Sequence, residues 1–371
     1  MAIDERIARE LERAAPAEDV QHLFDGVLKR TRRLRVARRI SRVALGLGVL
    51  GATAVAVAGL AVAFRGGSGT PVDGFTPSSL PANGAIVFSR PAGPHEGQHL
   101  FLVNPDGTGL RQLTFGLVVD EAPDWSPNGT RIVFRRDDLQ KRWSGLFVLD
   151  VASGTLDRVA DGGDPAWSPD GTRIAFDTAQ EGRCFIAVVD ADGSNEIALT
   201  NDRFHCPGDP DWSPDGREIA FEANTPHAED SWDLYTIRPD GSGLRDVTNT
   251  PGRDQSEVWP KWSPDGRSLL ASKGPGVMTG SDVHRYVVLT PEGDVVRQVT
   301  EFAGDAQEPS WSPDGRFILF DSERDGRSNV WSLEVKTGQL RQVTTDGGFL
   351  ADWQPVPAGA QPVSGNSRST S

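Results

Sequence analysis

Residues 95–99 read HEGQH, which spells the H-E-x-x-H pattern of zinc metalloproteases. That chemistry needs both histidines one turn apart on a single helical face, with the glutamate as general base beside the metal. The preceding RPAGP and the internal Gly97 oppose a helix, so the stretch reads as a loop and the spelling as accidental. Other enzyme signatures are missing as well. The sequence has no G-x-S-x-G nucleophile elbow, no P-loop and no dinucleotide fingerprint. Only 18 residues follow Trp353, too few for a hydrolase domain. The expectation is a non-enzymatic chain.

Charge narrows the partners. The 371 residues carry a formal net charge of −14. Residues 1–42 hold 11 Lys/Arg against 7 Asp/Glu, so the acidity belongs to the rest of the chain. An acidic body repels phosphates, which argues against nucleic acid as a partner. Glycine (41) and proline (26) are frequent, which favours many turns and short strands.

Residues 43–64 form an uncharged apolar run of 22. As a helix it spans about 33 Å, the thickness of a bilayer core. Arg32, Arg33, Arg35, Arg38, Arg39 and Arg42 precede it, and only Arg65 follows closely. The positive-inside rule then places residues 1–42 in the cytoplasm and the remainder outside, on a single-pass anchor. A cleaved signal peptide is the competing reading, and it exports the same body. Within 1–42, Val20, Leu23, Phe24, Val27 and Leu28 follow the apolar spacing of an amphipathic helix. That face suits the membrane surface or a cytoplasmic regulator. Residues 65–81 read as a flexible linker and residues 358–371 as a disordered tail.

The exported body repeats. DWSPNGTRIVF, AWSPDGTRIAF, DWSPDGREIAF, KWSPDGRSLLA and SWSPDGRFILF begin at Asp124, Ala166, Asp211, Lys261 and Ser310, and a truncated DWQP begins at Asp352. The tryptophans are spaced 42, 45, 50, 49 and 42 residues apart. Each unit reads as four short strands, the content of a propeller blade. The unit before Trp125 has three strands, and LADWQPV near the C-terminus supplies its fourth. The expected fold is all-β: a six-bladed propeller over residues 82–357, closed by three N-terminal strands and one C-terminal strand.

These W-S-P-D-G copies resemble the TolB-type repeat family, whose blades form six-bladed propellers. The resemblance covers about residues 82–357. In TolB an α/β domain precedes the propeller; here the apolar run and linker take that place.

Recognition is expected on the variable loops of one face. Acids before the innermost strands, Glu121, Asp164, Asp209, Glu257 and Glu308, would ring one channel mouth and suit a calcium ion or a basic peptide. Trp143, Trp232 and Trp259 lie near the same face as candidate partner anchors. Cys184 and Cys206 are the only cysteines, and export makes a disulfide between them the expected state. Two functions fit. One is an envelope binding module that holds a protein or peptide. The other is a transmembrane signalling protein of anti-sigma-factor-like layout, with residues 1–30 holding a regulator.

Overall fold

Each W-S-P-D-G copy folds as a tight turn because its serine serves both ends of it. Ser126 Oγ donates to Asn128 Oδ1 at 2.8 Å and accepts from the Arg131 N–H at 2.9 Å. Ser168 repeats this with Asp170 and Arg173 at 2.6 and 2.9 Å. Gly129 sits at φ 70°, and a Cβ there would lie 2.3 Å from the Pro355 carbonyl, so only glycine fits.

The computed structural model describes residues 82–91, 97–138, 143–180, 183–201, 203–204, 207–224, 232–249, 256–274, 285–299, 307–324 and 326–357. The chain divides into two units, Met1–Ser79 and Leu80–Ser371, and all described residues belong to the second. The expected helical segment 1–42, the anchor 43–64, the linker 65–81 and the tail 358–371 lie outside the described residues. Among the described residues no helix is long and apolar enough to cross a membrane.

The described residues form strands throughout. The first set is β1 (Ala82–Pro91), β2 (Gly97–Val103) and β3 (Arg111–Gln112). The next is β4 (Val118–Trp125), β5 (Arg131–Asp138), β6 (Trp143–Asp150) and β7 (Leu156–Ala160). Then come β8 (Gly163–Trp167), β9 (Arg173–Gln180), β10 (Arg183–Asp190) and β11 (Ile197–Ala198). They are followed by β12 (Gly208–Trp212), β13 (Ile219–Ala223), β14 (Asp233–Ile237) and β15 (Arg245–Asp246). After these lie β16 (Ser256–Trp262), β17 (Leu269–Gly274), β18 (Arg285–Leu289) and β19 (Val295–Gln298). The last are β20 (Gln307–Trp311), β21 (Phe317–Ser322), β22 (Asn329–Glu334), β23 (Leu340–Gln342) and β24 (Phe349–Val356). Sets β8–β11, β12–β15, β16–β19 and β20–β23 are separate four-stranded antiparallel sheets. The first two sets join into one sheet, because β2 and β4 pair in parallel at Gly97↔Val118 and Gln98↔Val119.

The first and last described strands meet. β24 pairs antiparallel with β1, with Ile86 opposite Trp353 and Val87 opposite Asp352. Gln354 stands where the other copies carry serine, and no turn follows it. Its longer side chain accepts from the Ala85 N–H at 3.2 Å and donates to the Gly129 carbonyl at 2.8 Å. It therefore bridges β24 to β1 and to the next turn.

The core lies between successive sets of strands. Val87, Leu100 and Leu102 pack with Trp125, Ile132 and Phe134. Ile186 and Val188 pack with Trp212, Ile219 and Phe221. Ile86, Phe88 and Phe101 pack with Leu319, Val330 and Trp353, which joins the last set of strands to the first. β4 contacts β8, β8 contacts β12, β12 contacts β16, β16 contacts β20, and β24 contacts both β20 and β4. The arrangement is a TolB-like propeller whose innermost strands face one channel.

The zinc spelling resolves here. Gly97–His99 open strand β2, not a loop and not a helix, while His95 and Glu96 lie outside the described residues. His99 is buried beside Asp120 at 3.8 Å, and Arg136 holds that carboxylate through bonds of 2.6 and 2.7 Å.

Candidate functional site: an acid-lined central channel

The channel is built by a short pattern before each tryptophan. Two residues upstream stands a proline, at Pro123, Pro165, Pro210, Pro260 and Pro309, with Ala351 in the last copy. Proline cannot donate to a sheet ladder, so within a strand it marks a bulge or an edge. The pairing register shifts at each of these five prolines. The residue before each one takes a left-handed backbone: Ala122, Asp164, Asp209, Trp259, Glu308 and Leu350 have φ between 38° and 57°. Such a conformation costs a non-glycine residue about 1 kcal/mol. Neighbouring acids offset part of it, since Glu222 accepts from the Trp259 N–H at 2.8 Å and Asp321 from the Leu350 N–H at 3.4 Å.

The bulge turns two residues per strand toward the channel. Asp124, Asp164, Asp209, Asp211, Glu308 and Asp352 line a cavity of about 190 Å³, with Lys261 as the one cation of the lining. The residue next to the tryptophan does the bridging. Asp352 Oδ2 accepts from the Trp125 N–H at 2.9 Å, Asp124 from the Trp167 N–H at 2.6 Å, and Asp211 from the Trp262 N–H at 2.7 Å. Each bond joins one innermost strand to the next. Asp352 Oδ1 also accepts from Ser310 Oγ at 2.7 Å, and Lys261 Nζ lies 3.6 Å from Asp211 Oδ1.

Crowding these charges out of bulk water shifts their protonation. Burial, with repulsion from Asp352, pushes the Asp124 carboxyl well above its ordinary range. Burial lifts Asp211 to about 6, opposed mainly by Lys261. Asp352 is raised by burial too. Burial disfavours the Lys261 ammonium, but Asp211, Asp124, Asp209 and Asp352 outweigh it and hold the charge on.

The expected ring of five acids is therefore split. Asp164, Asp209 and Glu308 line the channel. Glu121 and Glu257 do not, because they stand four and five residues before their tryptophans and not three. The bulge leaves both buried: Glu257 pairs with Lys273 at 2.6 Å, and Glu121 with Arg135 at 3.8 Å and Gln98 at 3.4 Å. No group of three or more metal-ligating side chains converges among the described residues, and Lys261 stands among the carboxylates where a calcium ion was expected.

The candidate anchors also separate. Trp232 is buried, and its backbone N–H donates to Ser256 Oγ at 3.2 Å. Trp259 is half-buried at the bulge of β16. Trp143 opens β6 opposite Asp138. Cys184 lies at the start of β10 and is disulfide-bonded, while Cys206 lies outside the described residues. Val20, Leu23, Phe24 and Val27 lie outside them too. The bridging aspartates were visible in the repeated D-W dipeptides, and the proline two residues before tryptophan signalled the bulge.

Over 67 residues the chain is 31% identical to an uncharacterised protein of Agrobacterium fabrum, a match covering 18% of this chain and 22% of that one. Over 63 residues it is 40% identical to the Tol-Pal system protein TolB of Nitratidesulfovibrio vulgaris, covering 16% and 14%. The chain thus spans less than a quarter of either relative's length. Its fold is similar to the crystal structure of TolB from Acinetobacter baumannii, with a TM-score of 0.64 at 19% identity, over 75% of this chain and 69% of that one. The TolB beta propeller domain, PD40, matches residues 74–259 and 245–367, and the chain belongs to that family.

Proposed function

We propose that this chain is a membrane-anchored binding module. Its propeller, six-bladed and closed by the pairing of β1 with β24, stands outside the cytoplasmic membrane. It holds an envelope protein or peptide on its loop-rich face and performs no catalysis. The apolar run at 43–64, with its arginine-rich N-terminal flank, supports the anchor and its direction. The cyclic contacts of six innermost strands support the blade count.

One observation carries the reading. Asp124, Asp211 and Asp352 each accept from the backbone of the neighbouring strand, so three of the six channel carboxylates tie the ring together. Recognition then falls to the loops that vary in length between units.

Photocrosslinking in living cells tests this. A crosslinking residue at exposed Gln180, on the loop end of β9, should capture an exported protein. The same residue at exposed Asp157, on the outermost strand β7, should not. Capture from neither position overturns the binding-module reading. Capture of a transcription regulator through positions 20–28, with none from Gln180, favours the signalling layout instead.

A further inference from the structure

The turn side repeats one joint with different side chains. The residue whose carbonyl accepts from the turn serine N–H is Arg131, Arg173, Glu218, Ser268 or Phe317 in successive units. In three units it meets the tryptophan of the next unit. The Arg131 guanidinium lies 4.7 Å from the Trp167 ring centroid, and its Nη2 donates to the Gly171 carbonyl at 3.5 Å. Arg173 lies 5.1 Å from the Trp212 ring, and the Phe317 and Trp353 rings are 6.3 Å apart.

Glu218 breaks the series. It reverses the charge, and among the described residues no cation stacks on Trp262. A cavity of about 560 Å³ opens beside it, lined by Trp262, Gly266, Glu218, Pro214, Pro291 and Arg238 among others. Trp262 and Gly266 correspond to Trp167 and Gly171, the two groups that receive Arg131. The molecule therefore carries its own template for the occupant of this cavity.

We infer that the cavity between the third and fourth W-S-P-D-G turns binds an arginine side chain of a partner peptide. The guanidinium lies at the rim of Trp262, which is only 7% exposed, and donates to the Gly266 carbonyl, and Glu218 meets its charge. A planar fork of five donors can reach a carbonyl and a carboxylate at once, which an ammonium cannot do as well. The cavity's own arginines face elsewhere. Arg217 Nε lies 3.6 Å from Asp215, and Arg238 donates to Ser242 Oγ at 3.4 Å. Arg245 Nη2 approaches Glu218 Oε2 only to 3.8 Å, beyond hydrogen-bond distance, while its Nη1 donates to the Pro291 carbonyl at 2.9 Å. Glu218 thus keeps acceptor capacity for an incoming donor.

The test uses the full-length chain labelled with fluorotryptophan, the Trp262 resonance being assigned with Trp262→Phe. N-acetyl-arginine methylamide should shift that resonance. The citrulline counterpart, equal in shape but neutral, should bind about tenfold more weakly. Glu218→Arg should fill the slot from within, abolish the shift and raise the melting temperature. Glu218→Gln keeps the shape without the charge and should weaken arginine binding several-fold, and it serves if Glu218→Arg does not fold. No shift of Trp262, equal binding of citrulline, binding of the N-acetyl-glutamate counterpart in place of arginine, or unchanged affinity in Glu218→Gln would each overturn the assignment.

Discussion

Replacing Lys261 with methionine tests the account of the channel most directly. The substitution keeps most of the stem's bulk and removes the one cation among six carboxylates of the lining. Breaking a buried ion pair by deleting one partner costs about 3–5 kcal/mol. Lys261 and Asp211 keep 29% and 21% of their side-chain surface accessible, which sets the expectation lower, at about 2–3 kcal/mol near neutral pH. For a domain of this size that is a drop of about 4–6 °C in melting temperature. The pH dependence carries the sharper signature. Asp211 is raised to about 6 in the folded protein. An unfolded aspartate titrates near about 3.9, so the folded state binds the proton more tightly and stability falls as pH rises between the two values. Lowering the pH from about 7 to about 5 should add about 1.3 kcal/mol from Asp211 alone. Lys261 holds Asp124, Asp211 and Asp352 down, so its loss raises all three further. The variant's deficit should be large at pH about 7.5 and shrink by about half at pH about 5, as the carboxylates take up protons. Tryptophan fluorescence is a suitable readout, because all ten tryptophans lie between residues 125 and 353. A deficit that does not change with pH, or none at all, would refute the electrostatic reasoning.

Three further outcomes are expected. Gln354→Ala leaves the buried Ala85 N–H and Gly129 carbonyl without their side-chain partner, and chemical denaturation should show a loss of about 2–3 kcal/mol. Asp124→Asn keeps an acceptor for the Trp167 N–H and removes a repelled charge; it should be neutral or stabilising by about 1 kcal/mol above pH about 7, with a flatter pH profile. Cys184 should pair with Cys206, so alkylation should add mass to the intact chain only after reduction; equal masses would remove that pairing.

Much of the fold was legible because W-S-P-D-G recurs as a whole. Serine, aspartate and glycine each meet one need of the turn, so the motif survives in five near-complete copies. The meeting of the chain ends could be read from a missing strand at one end and a spare strand at the other. The channel was harder to read. Its left-handed position is filled by Ala122, Asp164, Asp209, Trp259, Glu308 and Leu350, only half of which are acids. Acids were therefore chosen by nearness to the strand, and Glu121 and Glu257 fell out of register. Parity along a strand fails when a bulge intervenes. The bridging aspartates stood beside three of the six repeat tryptophans, yet their pairing with the backbone of another unit could not be read from the dipeptide alone. The parallel pairing of Gly97 and Gln98 with β4 was hidden for the same reason.

The pairing of β24 with β1 also sets an order of events in time. The partner residues Ala82 and Val356 lie at opposite ends of the propeller sequence, and Ala85 waits 269 residues for Gln354. During synthesis from the N-terminus, most joints can pack as each unit emerges, but β1 remains without its innermost neighbour until Phe349–Val356 has been made. The entropic cost of so long a loop grows only slowly with length, so the final closure is thermodynamically affordable but late. Until then β1 presents an open edge, the form most prone to pairing with another chain. The eight residues of β24 thus complete the ring: once they pair, the open edge of β1 is covered.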